Sequence, residues 1–108
     1  MSFLKSIQNS LRENRVIYSS HAREEMLNEP FGRIYDKEIE GAIINGKIIE
    51  QYPKDRPYPS CLISGSTKAE RVLHIVVAHN SADNISIVIT AYQPNPEFWS
   101  QDYARRKK

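Results

Sequence analysis

Three prolines within seven residues, Pro53, Pro57 and Pro59, constrain this chain more than any other feature. Proline lacks the backbone N–H and fixes φ, so the stretch from Tyr52 to Ser60 is excluded from a helix interior and from a central strand. It also separates two kinds of hydrophobic spacing. Before it, Phe3, Leu4, Ile7 and Leu11 recur at helical intervals behind Ser2, which predicts a helix over 2–13. Ile39, Ala42 and Ile43 repeat the pattern behind Asp36 and stop at Asn45-Gly46. Between these two, Val16 to Ser19 reads as a short strand, and Ser20 as the N-cap of a helix from His21 to about Asn28, ended by Pro30. Lys47 to Tyr52 then reads as a first long strand.

After the prolines the period becomes two, with strand-like runs at Ser60 to Ser66, Arg71 to His79 and Ile85 to Tyr92 joined by short polar turns. Leu73, Ile75 and Val77 take one face of the middle run, and Val72, His74 and Val76 the other. The same alternation puts Ile85, Ile87 and Ile89 on the core side of the last run. Symmetric turns set His74 opposite Ser64 on one neighbour and Thr90 on the other, with Tyr92 on the same face. The expected fold is α+β: N-terminal helices on one face of a twisted antiparallel sheet of about four strands.

At 108 residues there is room for one domain, 1–108, with a core large enough to need no staple. The single cysteine, Cys61, excludes an internal disulfide, and one cysteine with three scattered histidines excludes the common closed zinc sites. No cofactor is called for. No apolar run reaches the length of a membrane span, and Met1 to Leu11 lacks the form of a signal peptide, so a cytoplasmic protein without membrane contact is expected. The net charge of +2 comes from the end of the chain: without Arg105, Arg106, Lys107 and Lys108, 11 basic residues face 13 acidic ones. The basic tail, 103–108, reads as a solvated terminus.

Two constellations carry candidate chemistry. His21 follows Ser19-Ser20 at a helix start, where free N–H groups and the helix dipole favour a neutral imidazole and can hold a phosphate oxygen. Arg23 in the same turn adds a bidentate donor. These residues also read as an ordinary helix cap with a surface ion pair. The second is Ser64, His74, Thr90 and Tyr92, gathered from three strands, either an acid–base group with hydroxyl partners or a half-exposed sheet face with routine cross-strand pairs. Tyr52, Tyr58, Pro94, Pro96, Phe98 and Trp99 bracket the sheet. Phe98 and Trp99 read as packing, whereas Tyr58, held in its loop by two prolines, could stack on an unpaired base with Arg56 beside it to meet phosphate. Cys61 reads as buried and inert, and His79 as an incidental turn residue. Glycine-rich phosphate loops, nucleophile elbows and zinc-protease motifs are absent from the sequence.

The ordered blocks Ser20-His21-Ala22-Arg23-Glu24-Glu25-Met26, Asn45-Gly46-Lys47-Ile48-Ile49-Glu50, Tyr52-Pro53 and Tyr58-Pro59-Ser60-Cys61-Leu62 resemble a small bacterial family of domains of unknown function. The pattern continues through Leu73-His74-Ile75-Val76-Val77-Ala78 and Ile89-Thr90-Ala91-Tyr92, so the resemblance covers about 16–99. That family is grouped by fold similarity with RelE-type toxins of the barnase, EndoU, colicin and RelE superfamily. The resemblance implies metal-independent cleavage of RNA, in which the ribose 2′-OH attacks its own phosphate. It implies His21 and His74 as the base and acid, in either order, Arg23 as stabiliser of the phosphorane, and Thr90 and Tyr92 as groups that orient phosphate or base. Arg33 takes the place of an arginine that the pattern carries nearer to the His-Ala-Arg helix, and Lys68-Ala69-Glu70 replaces an Asp-Gly type turn. Arg33, Arg56, Tyr58 and Ser64 are the RNA contacts so implied, and RNA, the ribosome and a protein antitoxin the partners. A non-catalytic protein- or RNA-binding module of the same fold is the alternative.

Overall fold

The computed structural model describes residues 2–107 as three helices and five strands: α1 (Phe3–Arg12), β1 (Val16–Tyr18), α2 (Ser20–Asn28), α3 (Asp36–Ile44), β2 (Lys47–Tyr52), β3 (Ser60–Ser66), β4 (Val72–Asn80) and β5 (Ile85–Tyr92). The strands form one sheet in the order β1-β5-β4-β3-β2. The four long strands are antiparallel neighbours, as their period implies. The fifth is the correction: Val16–Tyr18 pairs in parallel with Ser86–Val88, so the sheet is mixed at that edge. Among the described residues no helix is long and apolar enough to cross a membrane.

Serines start the first two helices. Ser2 accepts from Lys5 N at α1. At α2 the cap is Ser19, one residue earlier than the sequence indicated: its Oγ accepts from Ala22 N at 3.0 Å and donates to Ile89 O of β5 at 3.0 Å. One hydroxyl thus starts the helix and ties it to the sheet, a second bond that Ser20 is not placed to make. Glu38 accepts from Tyr35 N to hold the start of α3.

The helices cover one face. Ile7, Leu11, Ala22, Met26, Ile39 and Ile43 pack on Cys61, Ile63, Leu73, Ile75, Val77, Val88 and Ala91. α3 lies so close to β3 that a Cβ on Gly65 would stand 1.8 Å from Ala42 O. On β5 the core side is Ser86, Val88 and Ala91, whereas Ile85, Ile87 and Ile89 are only partly buried. The expected isoleucine core face of this strand is therefore wrong, and a β-bulge is the reason. Val77 pairs with Val88 but Val76 with Thr90, so Ile89 is the extra residue and the alternation changes phase there.

Candidate functional site

The register across β2 to β5 determines what faces away from the helices. One row reads Tyr52–Ser60–Ala78–Ile87, the next Glu50–Leu62–Val76–Thr90, and the third Ser64–His74–Tyr92. His74 is thus opposite Ser64, as expected, but opposite Tyr92 rather than Thr90, because the bulge moves Thr90 one row along.

This outer face is not open at His74. The segment after Pro94 turns back over the sheet and closes a small hairpin with a Trp99–Arg106 bridge, so the expected solvated tail is folded as far as it is described. Trp99 meets the His74 ring edge-on at 4.3 Å between centroids and Tyr92 meets it at 5.4 Å. The imidazole has no exposed surface, which corrects the half-exposed sheet face. Its Nε2 lies 2.8 Å from Tyr103 O and its Nδ1 3.2 Å from Tyr92 Oη. A carbonyl can only accept, so the proton is on Nε2 and Nδ1 accepts from the tyrosine. Burial pushes the His74 pKa down to about 4, and nearby Arg106 pushes the same way. The ring is neutral near pH 7.

Beside it stands a group that the sequence reading did not single out. Glu50 accepts from Tyr52 Oη at 2.5 Å and from Arg106 Nε and Nη2 at 3.1 and 3.3 Å. These bonds, Arg106 first and Tyr52 second, hold the carboxyl below its ordinary range. Burial and the Glu50 bond push Tyr52 up to about 12, and burial raises Tyr92 as well. Arg106 also lies over Trp99, 4.7 Å from its ring centroid. The outer face therefore gathers an ionised carboxylate, a guanidinium, a neutral imidazole and two protonated phenols. The i, i+2 spacing of Glu50 and Tyr52 was the one local signal. Arg106 follows Glu50 by 56 residues and had none.

His21 stands elsewhere. Together with Glu24, Glu25, Asn28, Glu29, Ala91 and Tyr92 it lines a cleft of about 410 Å³ between α2 and β5. Its Nε2 is 3.4 Å from Glu25. Glu25 and Glu29 also accept from Ala91 N and Gln93 N, replacing the neighbour that β5 loses where β1 ends. Tyr92 touches both regions, but the cleft does not bring His21 and His74 together. Arg23 makes a two-pronged pair with Asp36 at 2.5 and 3.2 Å and covers the Tyr18 ring at 4.0 Å. Arg33 is exposed on the α2–α3 connection, over Tyr35. Arg56 is exposed and Tyr58 half-buried in the loop that leaves the sheet beside Tyr52. Ser64 is buried opposite His74, and Thr90 is partly buried.

Three further expectations concern packing. Trp99 is buried, but Phe98 is 64% exposed and is not packing. Cys61 is buried, and desolvation pushes its thiol up to about 12. His79 is not incidental: it is a buried strand residue whose Nδ1 is 3.0 Å from Ser86 Oγ, itself 2.6 Å from Ser10 Oγ under α1.

The model of a family described as a domain of unknown function, DUF4258, matches residues 18–93. The chain belongs to this family. No curated protein and no solved structure matches it. The match spans α2 through β5 and takes in Glu50, His74 and Tyr92, but it ends before Trp99, Tyr103 and Arg106. The DUF4258 match thus leaves the covering hairpin outside.

Proposed function

We propose that this DUF4258 domain is a metal-independent endoribonuclease of the RelE-like toxin type, and that its chemistry lies on the outer sheet face. One observation carries the reading: Glu50, held ionised by Arg106 and Tyr52, shares that face with the His74–Tyr92 pair. In 2′-OH transesterification a base removes the ribose proton, the 2′-oxygen bonds to phosphorus, and the bond from phosphorus to the 5′-oxygen breaks as that oxygen takes a proton. Glu50 is the base. Arg106 neutralises the phosphorane as a planar, two-pronged donor. Tyr92, kept protonated, turns its hydroxyl from His74 Nδ1 to give that proton to the 5′-oxygen, and Glu50 returns one to the phenolate through water. His74 accepts from Tyr92 and is a positioning residue in this scheme. Arg105 and Lys107 are exposed on the hairpin that carries Arg106, which adds positive charge near the chain end to attract phosphate. His21 falls outside the machinery, since Glu24, Glu25 and Glu29 around it oppose an approaching phosphate.

The test is incubation with RNA in excess EDTA, with and without ribosomes, followed by analysis of the ends. Cyclic-phosphate ends are expected, with cleavage reduced at least ~100-fold in Glu50→Gln and Tyr92→Phe and unchanged in His21→Ala. The full enclosure of His74 favours a second reading, a non-catalytic protein- or RNA-binding module, and absence of cleavage in all arms would select it.

A further inference from the structure

The hairpin over the sheet face is bonded mainly to itself. Ser100 N donates to Arg105 O, Lys107 N to Phe98 O, Tyr103 N to Ser100 O, and Ala104 N to the Asp102 carboxylate. Its ties to the sheet are few: the Tyr103 carbonyl on His74, the Arg106 pair with Glu50, and the Trp99 ring against His74. The ion pair is partly exposed on both sides, at 61% for Arg106 and 31% for Glu50, and so is open to competition and to screening by salt. The hairpin is also undercut. A crevice of about 210 Å³ opens between Tyr103 and the strand ends at Arg71, Val72, Gln93 and Pro94. The chain is firmly held up to that point, by Gln93 N on Glu29 and Gln93 Oε1 on Arg71, and Pro94 is buried.

We propose that the Phe98–Lys107 hairpin is a displaceable cover on the sheet-face site, released when a phosphodiester of single-stranded RNA takes Arg106 from Glu50. The inference rests on the reading of that face as the RNA site. It states how the site is regulated: in the free protein Glu50 is neutralised by its own arginine and His74 is shut off, and the substrate's charge opens both. No bond is made or broken in the step. An ion pair is exchanged, and the hairpin backbone lifts about the Asn95–Glu97 segment, because its internal hydrogen bonds do not depend on the sheet, while the long Arg106 side chain stays at the face on the substrate's phosphate.

Trp99, the chain's one tryptophan, sits in the cover, and His21 and His74 give an exposed and an enclosed imidazole in the same molecule. The probe is a 2′-O-methyl oligoribonucleotide, which carries the phosphates but no nucleophile, with binding followed by anisotropy. In the full-length protein, saturation with the probe is expected to raise acrylamide quenching of Trp99 about threefold or more. Diethylpyrocarbonate labelling of His74, measured relative to His21 by mass spectrometry, is expected to rise at least tenfold. Trp99→Ala, which removes the aromatic tie, should show raised His74 labelling without any probe. Binding that leaves both signals unchanged would overturn the cover, as would Trp99→Ala protein with native circular dichroism and the wild-type labelling ratio. A probe that binds neither protein would overturn it too, because Trp99→Ala is the open form. If the cover responds but no RNA is ever cut, the ribonuclease reading fails alone. If RNA is cut while His74 stays sealed throughout, the cover fails alone.

Discussion

Acid should loosen this fold through His74 in a way that can be isolated. The imidazole is enclosed by Trp99, Tyr92 and the Tyr103 carbonyl, with Glu50 and Arg106 as the charged groups nearest to it, and its pKa is pushed down to about 4 from an ordinary 6.5. The folded-state value lies below the unfolded one. Above pH 6.5 both states are neutral and the full contribution to stability is present. As the pH falls from 6.5 towards 4 the unfolded chain takes up a proton that the folded chain refuses, and stability is lost. A separation of that size corresponds to at most ~3 kcal/mol, and solvent screening around the exposed Arg106 edge reduces it to about 2 kcal/mol, roughly a thirtyfold change in the unfolding constant. Glu50 and Asp102, whose carboxyls are held low, lose stability in the same direction but at lower pH. Urea unfolding of the wild type and of His74→Gln at pH 7.5 and 4.5 separates the contributions. The variant is less stable at pH 7.5, since it loses the bond to Tyr103, but the wild type is expected to lose about 2 kcal/mol more than the variant between the two pH values. Equal losses, or a proton NMR titration of His74 with a midpoint near 6.5, would refute the enclosure.

Gly65→Ala should cost about 3 kcal/mol or more, because the new Cβ would lie 1.8 Å from Ala42 O and α3 would have to lift from β3; urea unfolding within ~0.5 kcal/mol of wild type would contradict that close approach. Ser86→Ala strands His79 Nδ1 and leaves Ser10 with only its bond to Ile7 O beneath α1, and a loss of about 1–3 kcal/mol is expected by thermal unfolding. Cys61 should resist a thiol reagent in native buffer and react at once in denaturant, since it is buried and its thiolate is disfavoured; rapid reaction of the native protein would show that β3 opens.

The relation of sequence to site differs from element to element. α1, α3 and the four long strands were legible because each repeats its own period between stops at glycine, proline or asparagine or, between β3 and β4, at the polar run Thr67–Arg71. The parallel pairing of Val16–Tyr18 was not, since three residues carry no readable alternation and parallel pairing needs a partner 70 residues away. His74 and Tyr92 were placed on one face by alternation alone, and the structure keeps them there. Their partners on that face were not legible, because the Ile89 bulge moves Thr90 out of the row and Arg106 reaches Glu50 only through the fold of the chain end.

By itself, then, the sequence determined where backbone hydrogen bonds run locally and which apolar stripes need covering, because periodicity and breakers act over a few residues. The family match, over 18–93, spans α2 to β5. The tertiary structure alone decided what is gathered on the sheet face away from the helices. Arg106 became half of an ion pair beside a histidine instead of part of a solvated tail, since pairing it with Glu50 and enclosing His74 beneath Trp99 are gains available only once four strands have fixed their register.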